Sequence, residues 1–271
     1  MYPQSLIDPS TAQLRYLTDL LLENGTEVFV AWERRKCPPP LKTRDGVVIF
    51  HHWPQDPVFL LFREIFLLQC YIGNGFYQPR ASDIVLDLGA NIGMFAMHLL
   101  GLCKDLTIHC FEPSQTTRER LKFNVKSNSL DKNISVHPFA VWNQSDRQVL
   151  LPYACSGRRS FFNDGRECED GPGELVQCVT LPAAIQMCSV ETIDLLKIDT
   201  EGAEVEILDA VDDATWAKIR RITLEYHEEL RPGSKTHLIK LLKKIGFHHV
   251  VIRPHNDDAI GIIQASRLEI G

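Results

Sequence analysis

From residue 83 onward, short apolar runs alternate with longer stretches of helical patterning. The short runs, at residues 84–88, 106–111, 134–141, 195–199 and 222–226, read as buried strands. The longer stretches, at 94–102, 114–126, 203–210 and 234–245, read as helices, with Ser114 as an N-cap and Gly246 as a stop. Two further runs, 249–253 and 259–264, close the chain as a hairpin that adds an antiparallel edge strand. The alternation predicts an α/β fold, a Rossmann-like seven-stranded, mostly parallel sheet flanked by helices.

The first 82 residues follow a different pattern. Residues 11–24 predict a helix, with Leu14, Leu17 and Leu21 at helical spacing and Gly25 after its end. Residues 27–32 and 46–50 read as short strands, separated by the rigid turn Cys37-Pro38-Pro39-Pro40. Asp56-Pro57 reads as the N-cap and first turn of a helix running to about Cys70. Two parts are therefore expected: an accessory cap over residues 1–82 and the main domain over 83–271. Residues 152–175 interrupt the alternation with turn-rich sequence, as a lid or binding loop would.

Composition narrows the function classes. The chain carries 29 Lys plus Arg against 35 Asp plus Glu, a formal charge of −6, which disfavours nucleic acid as a partner. The run 58–70 is too short to span a bilayer and holds Arg63 and Glu64, so no membrane association is expected. Eight cysteines without a CxxC pair suggest reduced thiols in a cytoplasmic protein. No spacing announces a metal site, and none is expected.

Four stretches carry chemistry. The run 83–95 delivers a strand into a turn with Gly89 and Gly93 before a helix. A dinucleotide loop would want glycine at 89, 91 and 94, but Asn91 and Met94 stand at the last two. Gly89 would let the turn approach a ligand and Gly93 would let the helix pack on the strand, while Asp87 suits a cationic group. Glu112, nineteen positions after Gly93, ends the second strand where an acid accepts ribose hydroxyls. In the run 194–208, Asp199 ends a buried strand, Gly202 opens the next helix and Glu204 sits in its first turn. Lys197 within that strand either reaches out past the sheet end or pairs with Asp199 or Glu201. His227, ending the fifth strand, is either structural or a proton acceptor.

At these residues the chain resembles the FkbM family of class I methyltransferases. The resemblance rests on Leu86-Asp-Leu-Gly-Ala-Asn-Ile-Gly-Met-Phe95, Phe111-Glu-Pro113 and, most specifically, the segment from Leu195 to Leu208, and spans roughly residues 55–250. Leu181-Pro182 departs from the family, which often has Leu-Asp there. The resemblance implies S-adenosyl-L-methionine as cofactor, held by Asp87, Gly89, Ala90, Asn91 and Gly93 around its methionine part. Glu112 and Pro113 would stand at the ribose, and Ala140 beside the adenine. Asp199 and Glu201 would face the transfer centre, where Asp199 and His227 orient and deprotonate the acceptor. The acceptor implied is a hydroxyl of a small molecule, a secondary metabolite or a sugar. From their position between the third strand and the motif around Asp199, residues 152–175 are expected to form the acceptor pocket together with the cap around Tyr71. Rival readings are a nicotinamide oxidoreductase, a non-catalytic cofactor-binding protein, a nucleic-acid methyltransferase and a methyltransferase for a nitrogen or carboxyl acceptor.

Overall fold

Five strands are built from the apolar runs and lie side by side, all parallel: β3 (Ile84–Leu88), β4 (Thr107–Phe111), β5 (Ile134–His137), β9 (Leu195–Ile198) and β10 (Arg221–His227). With β11 (His249–Pro254) and β12 (Ile260–Ser266) they complete a seven-stranded sheet in the order β11-β12-β10-β9-β3-β4-β5. The computed structural model describes residues 10–52, 54–151, 173–254 and 259–268. β3 and β9 are central and buried on both faces, which is why they read as unbroken apolar runs.

The closing hairpin departs from expectation in one respect. The antiparallel strand is β12, and it lies inside the sheet between β10 and β11; the edge strand is β11. Burial explains the order, since β12 is buried along nearly its whole length while β11 is largely exposed. β11 also ends in Pro254, which has no N–H to offer a further neighbour.

Helices cover both faces. On one face pack α4 (Met94–Leu102) and α5 (Gln115–Ser127), together with α1 (Thr11–Leu21), α2 (Gly25–Glu33) and α3 (Val58–Phe62). On the other face pack α6 (Leu181–Cys188), α7 (Glu204–Asp209), α8 (Asp213–Trp216) and α9 (Ser234–Lys244). The first core joins residues from Leu14 to Tyr77 with Val85, Ile108 and Leu121, so the N-terminal segment shares the core of the sheet.

Four other expectations are corrected. Residues 27–32 form part of α2 and not a strand; Val28 and Phe29 are buried, and the 3.6-residue period puts both on the inner side. Asp56 does not cap α3: it accepts from the His52 amide at 2.6 Å and pairs with Arg120 at 3.1 Å. The helix expected to reach Cys70 instead changes after Phe62 into a π-helical turn, Arg63–Leu67. The run 134–141 is broken at Pro138, and its second half, β6 (Ala140–Trp142), joins β7 (Gln148–Leu151) and β8 (Glu174–Thr180) in a separate three-stranded sheet. β8 takes up the end of the stretch read as a loop; residues 152–172 lie outside the described residues.

The short hairpin of β1 (Leu41–Lys42) and β2 (Val48–Ile49) is fastened to α5 by two amide side chains. Asn128 accepts from the Val48 amide at 2.7 Å and donates to its carbonyl at 2.8 Å. Asn124 does the same for Phe50, at 2.8 and 3.0 Å, and also donates to the Ile92 carbonyl at 2.9 Å. The outer edge of β2 is thus satisfied by a helix, and the same helix holds the glycine turn.

Candidate active site

The carboxyl ends of β3, β9 and β10 open into a cavity of about 390 Å³, in the size range of small-molecule sites. Gly89, Ala90, Asn91, Lys197, Asp199, Glu201, Glu225 and His227 line it from the sheet, and Leu60, Leu61, Glu64, Ile65 and Tyr71 line it from the N-terminal segment. The π-helical turn contributes Glu64 and Ile65 to this wall; such insertions recur at functional sites.

The turn after β3 is shaped by backbone conformation. Gly89 has φ +75°, and a Cβ there would lie 1.8 Å from the Asp199 carbonyl oxygen. A glycine is therefore required there by the neighbouring strand end. Gly93, at φ +88°, would place a Cβ 2.3 Å from Leu121 Cδ1, so it makes room for α5. Asn91 adopts φ 51° in the left-handed region, where its side chain accepts from the Ile92 amide at 2.8 Å. Asparagine thus serves where a dinucleotide loop would have glycine.

Asp87 is fully buried, and Lys197 Nζ stands 2.9 Å from its Oδ1, donates to the Gly89 carbonyl at 3.0 Å and approaches Asp199 Oδ2 at 3.6 Å. The open question about Lys197 resolves as a buried ion pair, with Asp87 as the main partner. The same contacts correct the expected role of Asp87, whose oxygens are sealed and reach the cavity through Lys197. Burial opposes the Lys197 charge, but Asp87 and then Asp199 outweigh it and hold the ammonium charged. Burial also pushes the Asp87 carboxyl up against the pull of that ammonium. The rings of Tyr71 and Phe95 lie over Lys197 at 5.1 and 5.9 Å.

Asp199 accepts a hydrogen bond from the Tyr71 hydroxyl at 2.9 Å, across 128 positions of sequence. Burial works against its charge, yet Lys197 and His227 hold it below the usual carboxylate range. Glu225 behaves oppositely: burial, then the charge of Asp199, pushes it well above that range. Its side chain hydrogen-bonds to Asp199, so the two carboxyl groups titrate as a pair in which Asp199 is the more acidic member.

His227 is 2% exposed, with Nδ1 3.5 Å from Glu204 and Nε2 3.5 Å from Glu201. Burial alone would lower its pKa, but Glu204, Glu225 and Glu201 together raise it to about 10. An imidazolium at neutral pH has no lone pair for a proton, so His227 does not suit the role of base. Glu204 lies in the first turn of α7. Its Oε1 accepts from the Thr200 amide and hydroxyl and the Gly202 amide, each at 3.1 Å, and so shapes the loop that carries Asp199 and Glu201. Within that loop Glu201 sits at φ 54°, a conformation that costs a non-glycine residue free energy.

Glu112 accepts from the Asn91 amide at 2.9 Å and the Ser114 amide at 3.0 Å, tying the end of β4 to the turn. Pro113 lies beside it, its carbonyl accepting from Arg118 at 2.6 Å. Ala140 is buried in the smaller sheet, and neither it nor Gly93, Glu112 or Pro113 is among the lining residues.

Among the described residues two groups bring three possible metal ligands within 4.8 Å of one another: Asp199, Glu201 and His227 in the cavity, and His109, His137 and Cys188 on the sheet face covered by α6. In the first group Lys197 and the His227 imidazolium already balance the carboxylates. No helix among the described residues is long and apolar enough to cross a membrane.

Comparison with known proteins agrees with this geometry. The methyltransferase FkbM domain matches residues 87–248. The 31-O-demethyl-FK506 methyltransferase FkbM of Streptomyces tacrolimicus is 28% identical over 232 residues, 76% of this chain and 88% of its own length. Methyltransferase sdnD of Sordaria araneosa is 25% identical over 218 residues, 69% of this chain and 81% of its own. Among solved structures, methyltransferase FkbM from Methylobacillus flagellatus KT superposes with a TM-score of 0.52 at 17% identity, covering 73% of this chain, which spans about half (47%) of that one. The METTL16 MTase domain superposes with a TM-score of 0.51 at 14% identity, covering 96% and 81% of the two chains. With the turn after β3, Glu112 and the segment around Asp199 all inside the matched region, the chain belongs to the FkbM methyltransferase family.

Proposed function

We propose that this methyltransferase uses S-adenosyl-L-methionine to methylate a hydroxyl group of a small molecule. The observation that carries this reading is the cavity walled by the glycine turn on one side and by Asp199, Glu201 and Glu225 on the other. The lining fits the cofactor: the acid-rich wall of Asp199 and Glu201 favours a cation, and Glu112, outside the lining, holds the turn after β3 through the Asn91 amide. When bound, the cofactor supplies a methyl group on a positively charged sulfur.

The chain's own residues then position and deprotonate. Asp199, ionised and fixed by Tyr71, Lys197 and Glu225, orients the acceptor hydroxyl. Glu201 takes the proton, held in place by the His227 imidazolium at 3.5 Å. A carboxylate is a sufficient base because an oxygen that has begun to bond to methyl gains positive charge and becomes strongly acidic. Burial and the aromatic rings of Tyr71 and Phe95 limit water at Lys197. A carboxylate acceptor would meet like charge from Asp199 and Glu201, which disfavours ester formation.

The experiment uses methyl-labelled cofactor with a panel of polyhydroxylated, amine and carboxylic acid acceptors. Labelled methyl ethers, with Glu201→Gln binding cofactor normally but turning over at least about a hundredfold more slowly, are the expected result. Labelled amines or base-labile esters, or full activity in Glu201→Gln, would overturn it. The earlier expectation that residues 152–175 close the acceptor pocket falls largely on residues outside those described.

A further inference from the structure

A second constellation lies away from the cavity, on the face of the sheet covered by α6. His109 on β4, His137 at the end of β5 and Cys188 at the last residue of α6 come from three separate elements. Their possible ligand atoms all lie within 4.8 Å of one another. His109 Nδ1 is 3.1 Å from His137 Nε2, and Cys188 Sγ is 3.9 Å from the same His137 nitrogen.

These separations match one chemistry closely. A tetrahedral zinc ion, with bonds of about 2.0–2.1 Å to nitrogen and 2.3 Å to sulfur, sets its ligands about 3.3 Å apart for two nitrogens and about 3.6 Å apart for nitrogen and sulfur. The two pairs that share His137 Nε2 differ from those edges by a few tenths of an ångström, and the third pair, His109 and Cys188, lies within 4.8 Å, a gap that side-chain rotation closes. Two imidazoles and a thiolate form the borderline-soft donor set that zinc prefers over magnesium or calcium.

The surroundings hold the ligands in position. His137 stacks on Phe111, with centroids 4.5 Å apart and planes at 16°, which fixes its ring. Its carbonyl accepts from the Glu112 amide at 3.1 Å. His109 is buried, whereas His137 and Cys188 keep partial exposure, which leaves a path for an ion and a fourth position for water.

We propose that His109, His137 and Cys188 bind one zinc ion that clamps the edge strand β5 and the end of α6 to the sheet. On binding, the proton now shared between the imidazoles moves to an outer ring nitrogen, and the thiol proton leaves to solvent. Net charge at the three ligands falls by one as the dication arrives. The ion acts on the cofactor side only indirectly, through the His137 carbonyl and the Glu112 amide.

The test is a titration of chelator-treated full-length protein with Co²⁺ as the spectroscopic probe, followed by Zn²⁺ competition. The expected result is one equivalent of Co²⁺ with a thiolate-to-cobalt charge-transfer band and the intense visible bands of a tetrahedral ion, both removed by Zn²⁺. Cys188→Ser should abolish the charge-transfer band, and His109→Ala should weaken binding by about tenfold or more. Zinc should raise the melting temperature of the wild type and not of either variant. Absence of the band in wild type, or its persistence in Cys188→Ser, would overturn the proposal. So would cobalt uptake lost in Glu201→Gln but kept in His109→Ala, because that places the ion in the cavity. None of these readouts depends on methyl transfer, so the zinc site and the proposed function fail separately.

Discussion

Lys197 Nζ lies 2.9 Å from Asp87 Oδ1, and both side chains are sealed from solvent, at 3% and 0% exposure. Neither member can lose its partner without leaving a charge in a medium that solvates it poorly. Such a pair contributes little net stability compared with apolar residues, but breaking it is costly.

Replacing Lys197 with Met should therefore destabilise the protein by about 3–5 kcal/mol. Removing the partner as well, in the Lys197→Met/Asp87→Asn double variant, should recover part of that loss. Urea denaturation of the two variants and the wild type checks this; a double variant no more stable than Lys197→Met would show that the pair is not coupled.

The charge of His227 gives a pH signature. Its folded pKa of about 10 lies above the ordinary 6.5, so protonation favours the folded state. That contribution is complete below about pH 6.5 and is lost as pH rises toward 10. The stability gap between wild type and His227→Gln should accordingly shrink over this interval. A gap that is constant from pH 6 to 10 would mean that the imidazole is neutral, and its role as a fixed charge beside Glu201 would fall with it.

The two glycines of the turn should differ in tolerance. Gly89→Ala drives a Cβ to 1.8 Å from a backbone oxygen of the central sheet, which cannot yield. Gly93→Ala meets the end of the Leu121 side chain at 2.3 Å, which can rotate, leaving mainly the left-handed backbone cost of about 1–2 kcal/mol. Thermal melts should show Gly89→Ala as much the more damaging of the two.

Asn124 joins the N-terminal hairpin, α5 and the glycine turn. Asn124→Ala leaves the Phe50 and Ile92 groups short of partners, and a loss of about 1–3 kcal/mol is expected. Cofactor affinity, measured by calorimetry, should fall too, since the turn loses an anchor at Ile92. Unchanged affinity would separate the hairpin from the site.

Much of this architecture is written locally. β3, β9 and β10 are apolar because both faces are covered, so their sequences alone announce them. The motifs at Asp87, Glu112 and Asp199 are short and contiguous, and they meet because parallel strands place their ends on one edge. Other features depend on partners far away. Residues 27–32 carry the β-branched and aromatic content of a strand, yet tertiary contacts make them a helix. β8 carries its polar residues, Glu174, Gln177 and Thr180, at every third position rather than in the alternation of a half-buried strand, and it follows a turn-rich stretch, so its sequence does not announce it. The contact of Tyr71 with Asp199 spans 128 positions, and the burial that pushes the Glu225 carboxyl up exists only once the cavity wall is assembled. His109, His137 and Cys188 share no spacing rule, since three elements bring them together.

The two asparagines on α5 have one more consequence, and it concerns measure. Four residues of helix advance about 6.0 Å, and two residues of strand about 6.6 Å. The mismatch over one such step is small enough for Asn124 and Asn128 to meet Phe50 and Val48 together. Over a second step it roughly doubles, so a third amide on the helix would drift out of line. A helix can therefore stand in for a missing strand along two rungs and no further, which sets the length of this N-terminal hairpin's hold on the domain.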